Sequence, residues 1–489
     1  IDSALVLENK VDEAPHPYVR PDDLNIAVVG GGASGLCAAL ALSEFGYQVT
    51  VYEKRKSLGG HATSRAVHGG KHVRDPAFGA FRKRQWPNFW ALLKTLGVQP
   101  ISLGQCDDWF NSPFLGWFHE DGSPLERSPE VMEEGRVFAT ALSKAVRDPE
   151  ADGKTVGELV DELQLSDAFV NTWFMGGVIL YFGGHPTQHY LNYPLRLIAW
   201  MWQNSIAEET TEPLELFRVK DSEYIDALAG FLQSRGVTIE TGVEVTVKER
   251  CEKNVTLDVA GESKTYGDVI LAIQPQCSAQ VLGQHASPQE REVLEAFEYS
   301  VDTVAVHQDE SYMPKDKSLW RLANIRLPNA NTPQADRKQT LPYTLCAPCN
   351  QDDTTPILAT YDYAHTDHWP ESADLFTFSH AVVNPNTQRL RQKLESLQGK
   401  ASVHYCGSWS RGLTLHEDAV VTGLEAANRI LDAKDELRQV LTIKKLQALY
   451  LALKIESLGT TKIEAENTGN YSGALKFYVR NANPNVSQE

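Results

Sequence analysis

Residues 30–35 carry glycines at the spacing G-x-G-x-x-G, and an acidic residue, Glu53, follows about 20 positions later. Together these residue types favour a dinucleotide, because glycines let the backbone approach a diphosphate and a carboxylate accepts hydrogen bonds from the adenosine ribose. A glycine turn in an ordinary α/β protein is the alternative. The acid and the flanking apolar segments favour the dinucleotide site.

Each position in the glycine loop has its own physical task. Gly30 permits the tight turn, Gly32 lets the diphosphate approach, and Gly35 allows the following helix to pack closely on the strand. Ala33 and Ser34 are expected to offer N–H groups at the positive end of that helix. The loop is therefore predicted to bind the cofactor through its backbone.

The elements that must position this loop follow from the alternation of the surrounding sequence. Residues 24–29 predict an apolar strand, residues 34–44 a helix of small and apolar residues, and residues 48–52 a second strand. A strand, a helix and a strand in this order form a βαβ unit, whose helical crossover joins parallel strands. The predicted fold class is α/β.

The choice between NAD and FAD depends on the segment after the second strand. Glu53 and Lys54 lead into Gly59, Gly60 and His61. This segment resembles the flavin-binding signature of the amine oxidase and phytoene desaturase superfamily, and the resemblance implies FAD. It also implies that the paired glycines let the loop pass close to the diphosphate, with an arginine usual where this chain has His61.

Later stretches resemble the same superfamily. Val245 ends a segment that is similar to the strand on which such proteins rest the adenine. Gly407 lies in a segment similar to the final strand, which holds the flavin together with the helix after it. A helix beginning near Ala419 and Val420 would stabilise negative charge on reduced flavin. The stretches are residues 239–245, 266–275, 405–409 and 423–429.

Residues 307–315 with Trp320, and the His-Glu-Asp segment 416–418, resemble a narrower branch. That branch comprises predicted NAD/FAD-binding proteins and FAD-dependent isomerases of polyenoic (polyunsaturated) fatty acids. The resemblance implies that a hydride leaves the methylene between two cis double bonds and returns elsewhere on the same chain. The double bonds then become conjugated without a net oxidant. An oxidase or desaturase of an amine or polyene, and a non-catalytic lipid-binding flavoprotein, are the alternatives.

An isomerase of this kind needs an apolar channel and a cation for the fatty acid carboxylate. Trp173, Tyr181 and Phe182 lie in an aromatic stretch interrupted by glycines and are candidates for catalysis in the channel, although an ordinary buried helix explains the same pattern. Arg82 and Arg84 stand beside aromatic residues and are candidates for bidentate binding of the carboxylate. A solvated basic turn is the alternative for both arginines.

Several polar residues have structural explanations beside functional ones. His61 is a candidate for positioning the cofactor or a substrate alkene, or it only satisfies the backbone of its loop. Asp418 and Glu417 are expected close to the cofactor, and helix capping is the leading interpretation for at least one of them. No metal site is expected, because His404 and His416 lack a paired ligand motif.

The predicted architecture is a discontinuous Rossmann-type FAD-binding domain with a mixed α+β substrate domain, as in amine oxidases. The FAD-binding domain is assigned residues 24–80, 226–290 and 401–434. The substrate side is assigned a mostly helical region, 81–225, and a β-rich region, 291–400, followed by a tail at 435–489.

The composition limits the partners. The 489 residues carry 46 lysines and arginines against 64 aspartates and glutamates, a net charge of −18, which disfavours nucleic acid because phosphate binding needs a positive surface. No stretch of about 20 apolar residues predicts a membrane span. A soluble protein acting on a small molecule, a free polyunsaturated fatty acid, is expected, and a homodimer is one compatible assembly.

Features of secreted proteins are also present. The chain does not begin with methionine, which fits removal of a targeting segment, and sequons at Asn254, Asn470 and Asn485 permit glycosylation. A secretory or extracellular location is therefore slightly favoured over the cytosol. The seven cysteines do not suggest a disulfide scaffold, and at most Cys346 and Cys349 would pair locally.

Overall fold

The structure is a computed structural model of the chain. It describes residues 25–70, 72–76, 80–106, 114–119, 122–182, 187–206, 214–327, 343–346, 356–362 and 372–433. The predicted C-terminal tail, the sequons at Asn470 and Asn485, and Cys349 lie outside the described residues.

Helices and strands alternate in the first part of the chain, and strands dominate the second part. The helices are α1 (Ala33–Glu44), α2 (Pro87–Leu96), α3 (Pro129–Ala145), α4 (Val156–Glu162), α5 (Met175–Phe182), α6 (Thr187–Leu191), α7 (Leu195–Ile206), α8 (Asp221–Ser234), α9 (Pro275–Leu282), α10 (Pro288–Glu295), α11 (Pro385–Glu395) and α12 (His416–Ala433). Within the described residues, no helix is both long and apolar enough to cross a membrane.

The strands begin at residue 25, as the apolar pattern predicts. They are β1 (Asn25–Val29), β2 (Gln48–Glu53), β3 (Arg65–Val67), β4 (His72–Arg74), β5 (Ile101–Cys106), β6 (Leu115–His119), β7 (Leu214–Arg218), β8 (Thr238–Thr241), β9 (Val245–Arg250), β10 (Val255–Val259), β11 (Glu262–Tyr266), β12 (Asp268–Leu271), β13 (Tyr299–His307), β14 (Ala323–Leu327), β15 (Tyr343–Cys346), β16 (Leu358–Asp362), β17 (Asp374–Ala381) and β18 (Val403–Tyr405).

A five-stranded parallel sheet of order β18-β12-β1-β2-β8 is the framework of the dinucleotide side. Its central strand β1 is buried on both faces. Ile26 and Val28 belong to the core under α1 and α12, while Ala27 and Val29 belong to the core under the three-stranded sheet β11-β10-β9. Burial on both faces explains why the strand is a continuous apolar run, and the predicted Rossmann-type α/β fold is confirmed.

The parallel sheet draws its strands from distant parts of the sequence. β1 and β2 come from the start of the described chain, β8 and β12 from its middle, and β18 from a segment some 130 residues later. Parallel neighbours need long crossover connections, so a second set of elements fits between them. The dinucleotide side is therefore discontinuous in sequence.

A six-stranded sheet of order β17-β13-β16-β15-β14-β6, here called the substrate sheet, faces the dinucleotide side across a cavity. Its pairs are antiparallel except for β14 with β6, which are parallel. β6 comes from the region predicted as mostly helical, 81–225. The pairing partner of β6, β14, lies some 200 residues further on, and a five-residue strand carries little signal alone.

Helices α3 to α7, with a π-helical segment at Phe169–Phe174 just before α5, form a helical module beside the substrate sheet. Their shared core includes Phe138, Trp173 and Ile198, all buried, and it continues into Leu115 and Ile325 of the sheet. One apolar core thus joins the helical module to the substrate sheet, so this part of the molecule is α+β.

Two predictions about modification fall partly within the described residues. Asn254 is exposed in the turn between β9 and β10, where the N–H of Cys251 donates to its carbonyl oxygen at 2.9 Å. The backbone of Cys346 ends β15. Glycosylation, secretion and pairing of the two cysteines stay predictions.

Candidate active site

The glycine loop makes a sharp turn between β1 and α1. Gly30 has a φ of 113°, a region that favours glycine, and its N–H donates to the carbonyl oxygen of Tyr52 at 2.8 Å. A Cβ at Gly35 would lie 2.0 Å from the carbonyl oxygen of Gly30. Gly35 thus lets α1 start directly against the strand, which is the close packing that its sequence position predicts.

Gly32 has a different environment from the other two glycines. It precedes the first residue of α1, and no side chain caps the helix N-terminus there. A Cβ at Gly32 would come no closer than 4.0 Å to any atom, because it would project into the cavity that Ala33 and Ser34 also line. Open space over N–H groups at a helix N-terminus fits a bound diphosphate. We call this place the cradle.

The paired-glycine loop forms the other side of the cradle. The N–H of Gly59 donates to the carbonyl oxygen of Gly31 at 2.8 Å, and Gly59 and Gly60 have φ values of 107° and 64°. A Cβ at Gly60 would lie 3.4 Å from the Cα of Gly32. The loop therefore approaches the start of α1 closely, and both glycines border the cavity.

Glu53 stands at the carboxyl end of β2 and also borders the cavity. Its Oε2 accepts a hydrogen bond from the N–H of Gly31 at 2.7 Å, and its Oε1 accepts one from the N–H of Arg55 at 2.8 Å. These bonds fix the carboxylate beside the cradle, where its role toward a ribose stays a prediction. Lys54 forms an exposed ion pair with Glu244 at 2.8 Å.

The remaining cofactor candidates come from the middle and the end of the chain. Val245 is buried, and Gly407, which has a φ of 147°, precedes a short 3₁₀ turn. Val245, Gly407 and Ala419 all line the cavity. The helix predicted near Ala419 and Val420 begins earlier, at His416. The predicted helix start was wrong because the N–H of Ala419 already donates to the carbonyl oxygen of Leu415 within the first turn.

Asp418 and Glu417 are both buried, and they bind different helices. Oδ2 of Asp418 accepts a hydrogen bond from the N–H of Leu415 at 3.0 Å, just before α12 begins. Glu417 instead accepts from the N–H of Asn88 at 3.0 Å and from that of Phe89 at 2.9 Å, which are at the N-terminus of α2. A carboxylate there satisfies N–H groups that the helix leaves unpaired.

Burial controls the charge of these two carboxylates. It raises the pKa of Glu417 to about 7, against the lowering effect of its hydrogen bonds with Asn88 and Phe89. Burial also raises the pKa of Asp418, and the nearby guanidinium of Arg411 opposes this increase. Neither residue is among those that line the cavity.

A cavity of about 800 Å³ continues from the cradle to the substrate sheet and the helical module. Its far walls are largely apolar. The lining side chains there include Leu115, Leu216, Leu322, Ala323, Leu413, Leu415, Tyr193 and Tyr361. Such a volume and lining suit a small, mostly apolar molecule next to a cofactor.

The two candidate anchor arginines differ in position. Arg82 lines the cavity and is only 6% exposed, whereas Arg84 is half-buried and is not among the lining residues. Phe81 and Trp86, stacked at 5.6 Å between ring centroids, line the same part of the wall. The structure therefore favours Arg82 over Arg84 as a group that a bound carboxylate would meet.

Of the aromatic candidates, Trp173 does not reach the cavity. It is buried in the core of the helical module, stacked on Phe169 with 5.3 Å between ring centroids and packed against Gly135 of α3. Its predicted catalytic role is corrected to a packing role, because the apolar stretch is a helix buried on most sides. The backbone of Tyr181 and Phe182 ends α5, and their side chains lie outside the described part of the chain.

His61 lines the cavity next to residues that sequence reasoning missed. Its ring meets Phe378 and His380 edge-on, at 5.5 and 5.2 Å between centroids, and Nδ1 of His380 contacts the carboxylate of Asp302. The His61 side chain is exposed, and partial desolvation beside the cavity together with the nearby His380 lowers its pKa. Alternation in β17 places residues 378 and 380 on one face, but no sequence signal pairs them with Asp302.

Metal ligands were not expected in this site. Within the described ranges, no group of three or more His, Cys, Asp or Glu side chains is arranged to hold a metal ion. His404, one of the two histidines considered for a ligand, instead has its Nε2 3.1 Å from the carboxylate of Asp268.

Comparisons with known proteins agree with this arrangement. Residues 28–96 match the family model of an NAD(P)-binding Rossmann-like domain. A putrescine oxidase with bound putrescine superposes with a TM-score of 0.61 at 14% identity, over 83% of this chain and 99% of that one. The chain has the amine oxidase-like α/β fold. A CLA-producing fatty acid isomerase from P. acnes has the same fold, with a TM-score of 0.59 at 14% identity over 85% of this chain and 99% of that one.

Curated sequences match parts of the chain. A probable zeta-carotene desaturase from Synechococcus elongatus is 23% identical over 278 residues, which are 51% of this chain and 56% of the relative. A thiamine thiazole synthase from Methanosarcina acetivorans is 37% identical over 60 residues, 12% of this chain and 23% of the relative. The chain thus matches between about a quarter and about half of the length of these relatives.

The whole-chain likeness is therefore one of fold, to proteins such as the putrescine oxidase and the fatty acid isomerase, and the family model covers the Rossmann-like segment. The predicted dinucleotide-binding domain is confirmed, and FAD as its ligand stays a prediction. The amine oxidase-like fold places the cradle, Glu53 and Gly407 around one cavity, and the open space over Gly32 fits the diphosphate of FAD.

Proposed function

We propose that this protein is an FAD-dependent isomerase that shifts the double bonds of a free polyunsaturated fatty acid into conjugation. The observation that carries the proposal is the cavity beside the cradle, whose far walls are lined largely by apolar side chains and which is bordered by one strongly buried arginine, Arg82. An apolar chain that ends in a carboxylate is the substrate class complementary to both features.

The residues of this chain would perform three tasks. The leucines of the far wall, such as Leu216 and Leu413, would exclude water from the alkene region, and Arg82 would fix the carboxylate so that one stretch of the chain lies beside the cofactor. His61, neutral at ordinary pH, would add no charge to the apolar space. When bound, FAD supplies the reversible transfer of a hydride.

The alternative with an observation of its own is an FAD-dependent desaturase or oxidase. It is supported by the sequence match with the probable zeta-carotene desaturase, whose name describes removal of hydrogen from a polyene. Such an enzyme would need an electron acceptor in every cycle. The two candidates therefore differ in what they consume, although both would bind FAD and an apolar substrate.

The test is to mix the purified yellow protein with arachidonic or eicosapentaenoic acid in sealed, oxygen-free buffer and to follow ultraviolet absorbance. Conjugated alkenes that accumulate over many turnovers, with the flavin still oxidised, are expected. Bleaching of the flavin after one turnover, with recovery in air, would instead establish an oxidase or desaturase. Fatty acid recovered unchanged, with no change in either spectrum, would contradict both and favour a lipid-binding flavoprotein.

A further inference from the structure

One residue beside the cavity has a backbone conformation that its type disfavours. Thr414 has a φ of 65°, in the left-handed region. A branched Cβ makes this conformation costly, whereas glycine adopts it readily. Within the described ranges, the other residues besides glycine that have a positive φ are not β-branched, and they are His68, Gln164, Ala260, Ala401 and Ser402.

Thr414 also differs from those five residues in its place in the fold. It is half-buried and borders the cavity between Leu413 and Leu415, which line the cavity as well. The other five residues are not among those that line the cavity. The β-branched member of this set is thus the one that a molecule bound in the cavity would meet.

Buried polar groups hold the chain on the N-terminal side of Thr414. Arg391 is buried, and it donates from Nε to the carbonyl oxygen of Trp409 at 2.9 Å and from Nη1 to that of Gly412 at 2.7 Å. A Cβ at Gly412 would lie 2.4 Å from Oδ1 of Asp418, so the chain passes directly against that carboxylate. The main chain just before Thr414 therefore has little freedom to move.

The same carboxylate holds the chain on the C-terminal side. The N–H of Leu415 donates to Oδ2 of Asp418 at 3.0 Å, and α12 begins with the next residue, His416. Strained conformations persist where surrounding contacts determine them, and they cluster at functional sites. The path of the chain here requires a left-handed residue, and glycine would meet that requirement without the cost of a branched Cβ.

We propose that Thr414 is a specificity-determining residue whose branched side chain contacts the bound substrate. A side chain at a position that favours glycine adds atoms to the cavity wall between two leucines, and these atoms narrow the space for an apolar chain. Where the chain passes Thr414 then determines which of its double bonds lie beside the cofactor. The substrate class, a free polyunsaturated fatty acid, rests on the proposed function.

Thr414→Gly separates stability from specificity. Loss of the branched Cβ relieves strain, and the greater freedom of glycine in the unfolded chain offsets part of this gain. We therefore expect the unfolding midpoint of the purified holoprotein to lie between the wild-type value and about 2 °C above it. With arachidonic acid, the ratio of the conjugated products, separated by chromatography, should change by about 10-fold, since one methylene in an apolar pocket changes selectivity by about that factor or more.

Two further variants are matched to this one. Ala260→Gly relieves a positive φ of 51° in the exposed turn between β10 and β11, away from the cavity lining, so it should leave the product ratio at the wild-type value. Thr414→Val keeps both the branched shape and the strained backbone. It should therefore change the product ratio far less than Thr414→Gly does.

Binding of arachidonic acid provides a readout that does not need turnover. The acid should raise the unfolding midpoint of the wild type and of Ala260→Gly equally, and that of Thr414→Gly by less. A wild type that binds the acid without forming conjugated alkenes would contradict the proposed function alone. A wild type that neither binds nor converts the acid would contradict both proposals.

Three results would overturn the inference and leave the proposed function in place. The first is an unchanged product ratio in Thr414→Gly beside an active wild type. The second is an unfolding midpoint of Thr414→Gly well below the wild-type value together with that unchanged ratio, which would mean that the side chain serves folding. The third is an equal change of the ratio in Thr414→Val and Thr414→Gly, which would mean that the branched shape does not select the product.

Discussion

The two sides of the cavity are built from different parts of the polypeptide. On the dinucleotide side the wall is mostly backbone, with Gly32, Gly59 and Gly60 closing on the start of α1. On the opposite side the wall is made of side chains, such as Leu216 from β7 and His380 from β17. An added side chain on the first wall would meet the main chain or enter the cradle, whereas the side chains of the second wall set its shape and charge.

This difference determines which substitutions affect which property. On the dinucleotide side, a Cβ added to a glycine of the wall either collides with the main chain or fills the space of the cofactor. On the side-chain wall a substitution changes shape or charge and leaves the framework in place. Changes on the first wall should therefore affect folding and FAD retention, and changes on the second should affect the substrate.

The largest effect is expected from Gly35→Val. Its Cβ would lie 2.0 Å from the carbonyl oxygen of Gly30, so α1 could not pack against β1, and we expect destabilisation by more than about 4 kcal/mol. Soluble yield and the thermal unfolding midpoint measure this. Gly230→Val is the control, because nothing lies within 4 Å of a Cβ at Gly230 on α8. A wild-type midpoint for Gly35→Val would contradict the close packing.

Gly32→Val separates cofactor binding from folding on the same wall. The added Cβ meets no atom closer than 4.0 Å, so the protein should fold, but the side chain would occupy the cradle. We expect FAD retention to weaken by at least about 10-fold, which needs only 1.4 kcal/mol. The ratio of flavin to protein after gel filtration tests this, and a fully yellow variant would refute the cradle assignment.

Arg82→Met tests the side-chain wall. Loss of a buried cation should raise KM for a free fatty acid by about 10- to 100-fold, as expected for a hydrogen bond to a charged group, with FAD content unchanged. Arg84→Met is the matched variant, and because Arg84 is not among the cavity-lining residues it should change KM little. Equal changes in KM for Arg82→Met and Arg84→Met would contradict the preference for Arg82 as the residue that binds the carboxylate.

The smallest effect concerns Glu417, which links α12 to the N-terminus of α2. Burial raises its pKa from 4.5 to about 7, so its contribution to stability is complete at pH 4.5 and below and decreases as the pH rises to about 7. In Glu417→Gln that decrease should be absent, and the difference between the two unfolding midpoints should change by a few degrees between pH 5 and pH 8. Parallel pH profiles of the two proteins would contradict the raised pKa.

Much of the dinucleotide side could be predicted from the sequence. The spacing of residues that are close in sequence determines this side, because the turn at Gly30, the start of α1 and the carboxylate of Glu53 all lie within one βαβ unit. The start of α12 was misplaced by about three residues, since its first turn is determined by the buried Asp418 and the N–H of Leu415. Errors of this size are typical of element ends.

The substrate side was harder to predict, and the errors have a common cause. Trp173 was predicted to line the channel, yet it packs inside the helical module. The prediction failed because the sequence of a helix that is apolar on most sides does not show which face meets a cavity. Helix capping, expected of at least one of Asp418 and Glu417, is provided by Asp418, whereas Glu417 binds the N-terminus of α2, more than 300 residues away in sequence. Both outcomes depend on which elements become neighbours.

The sequence by itself determined the α/β framework and the glycine loop, because these depend on residues close together in the chain and on backbone conformations that only glycine readily adopts. Only the tertiary structure decided that β6 joins the substrate sheet, that Arg82 lines the cavity in preference to Arg84, and that Asp302 and His380 stand beside His61. Strand register and packing bring these residues together from distant segments, and no local pattern specifies either.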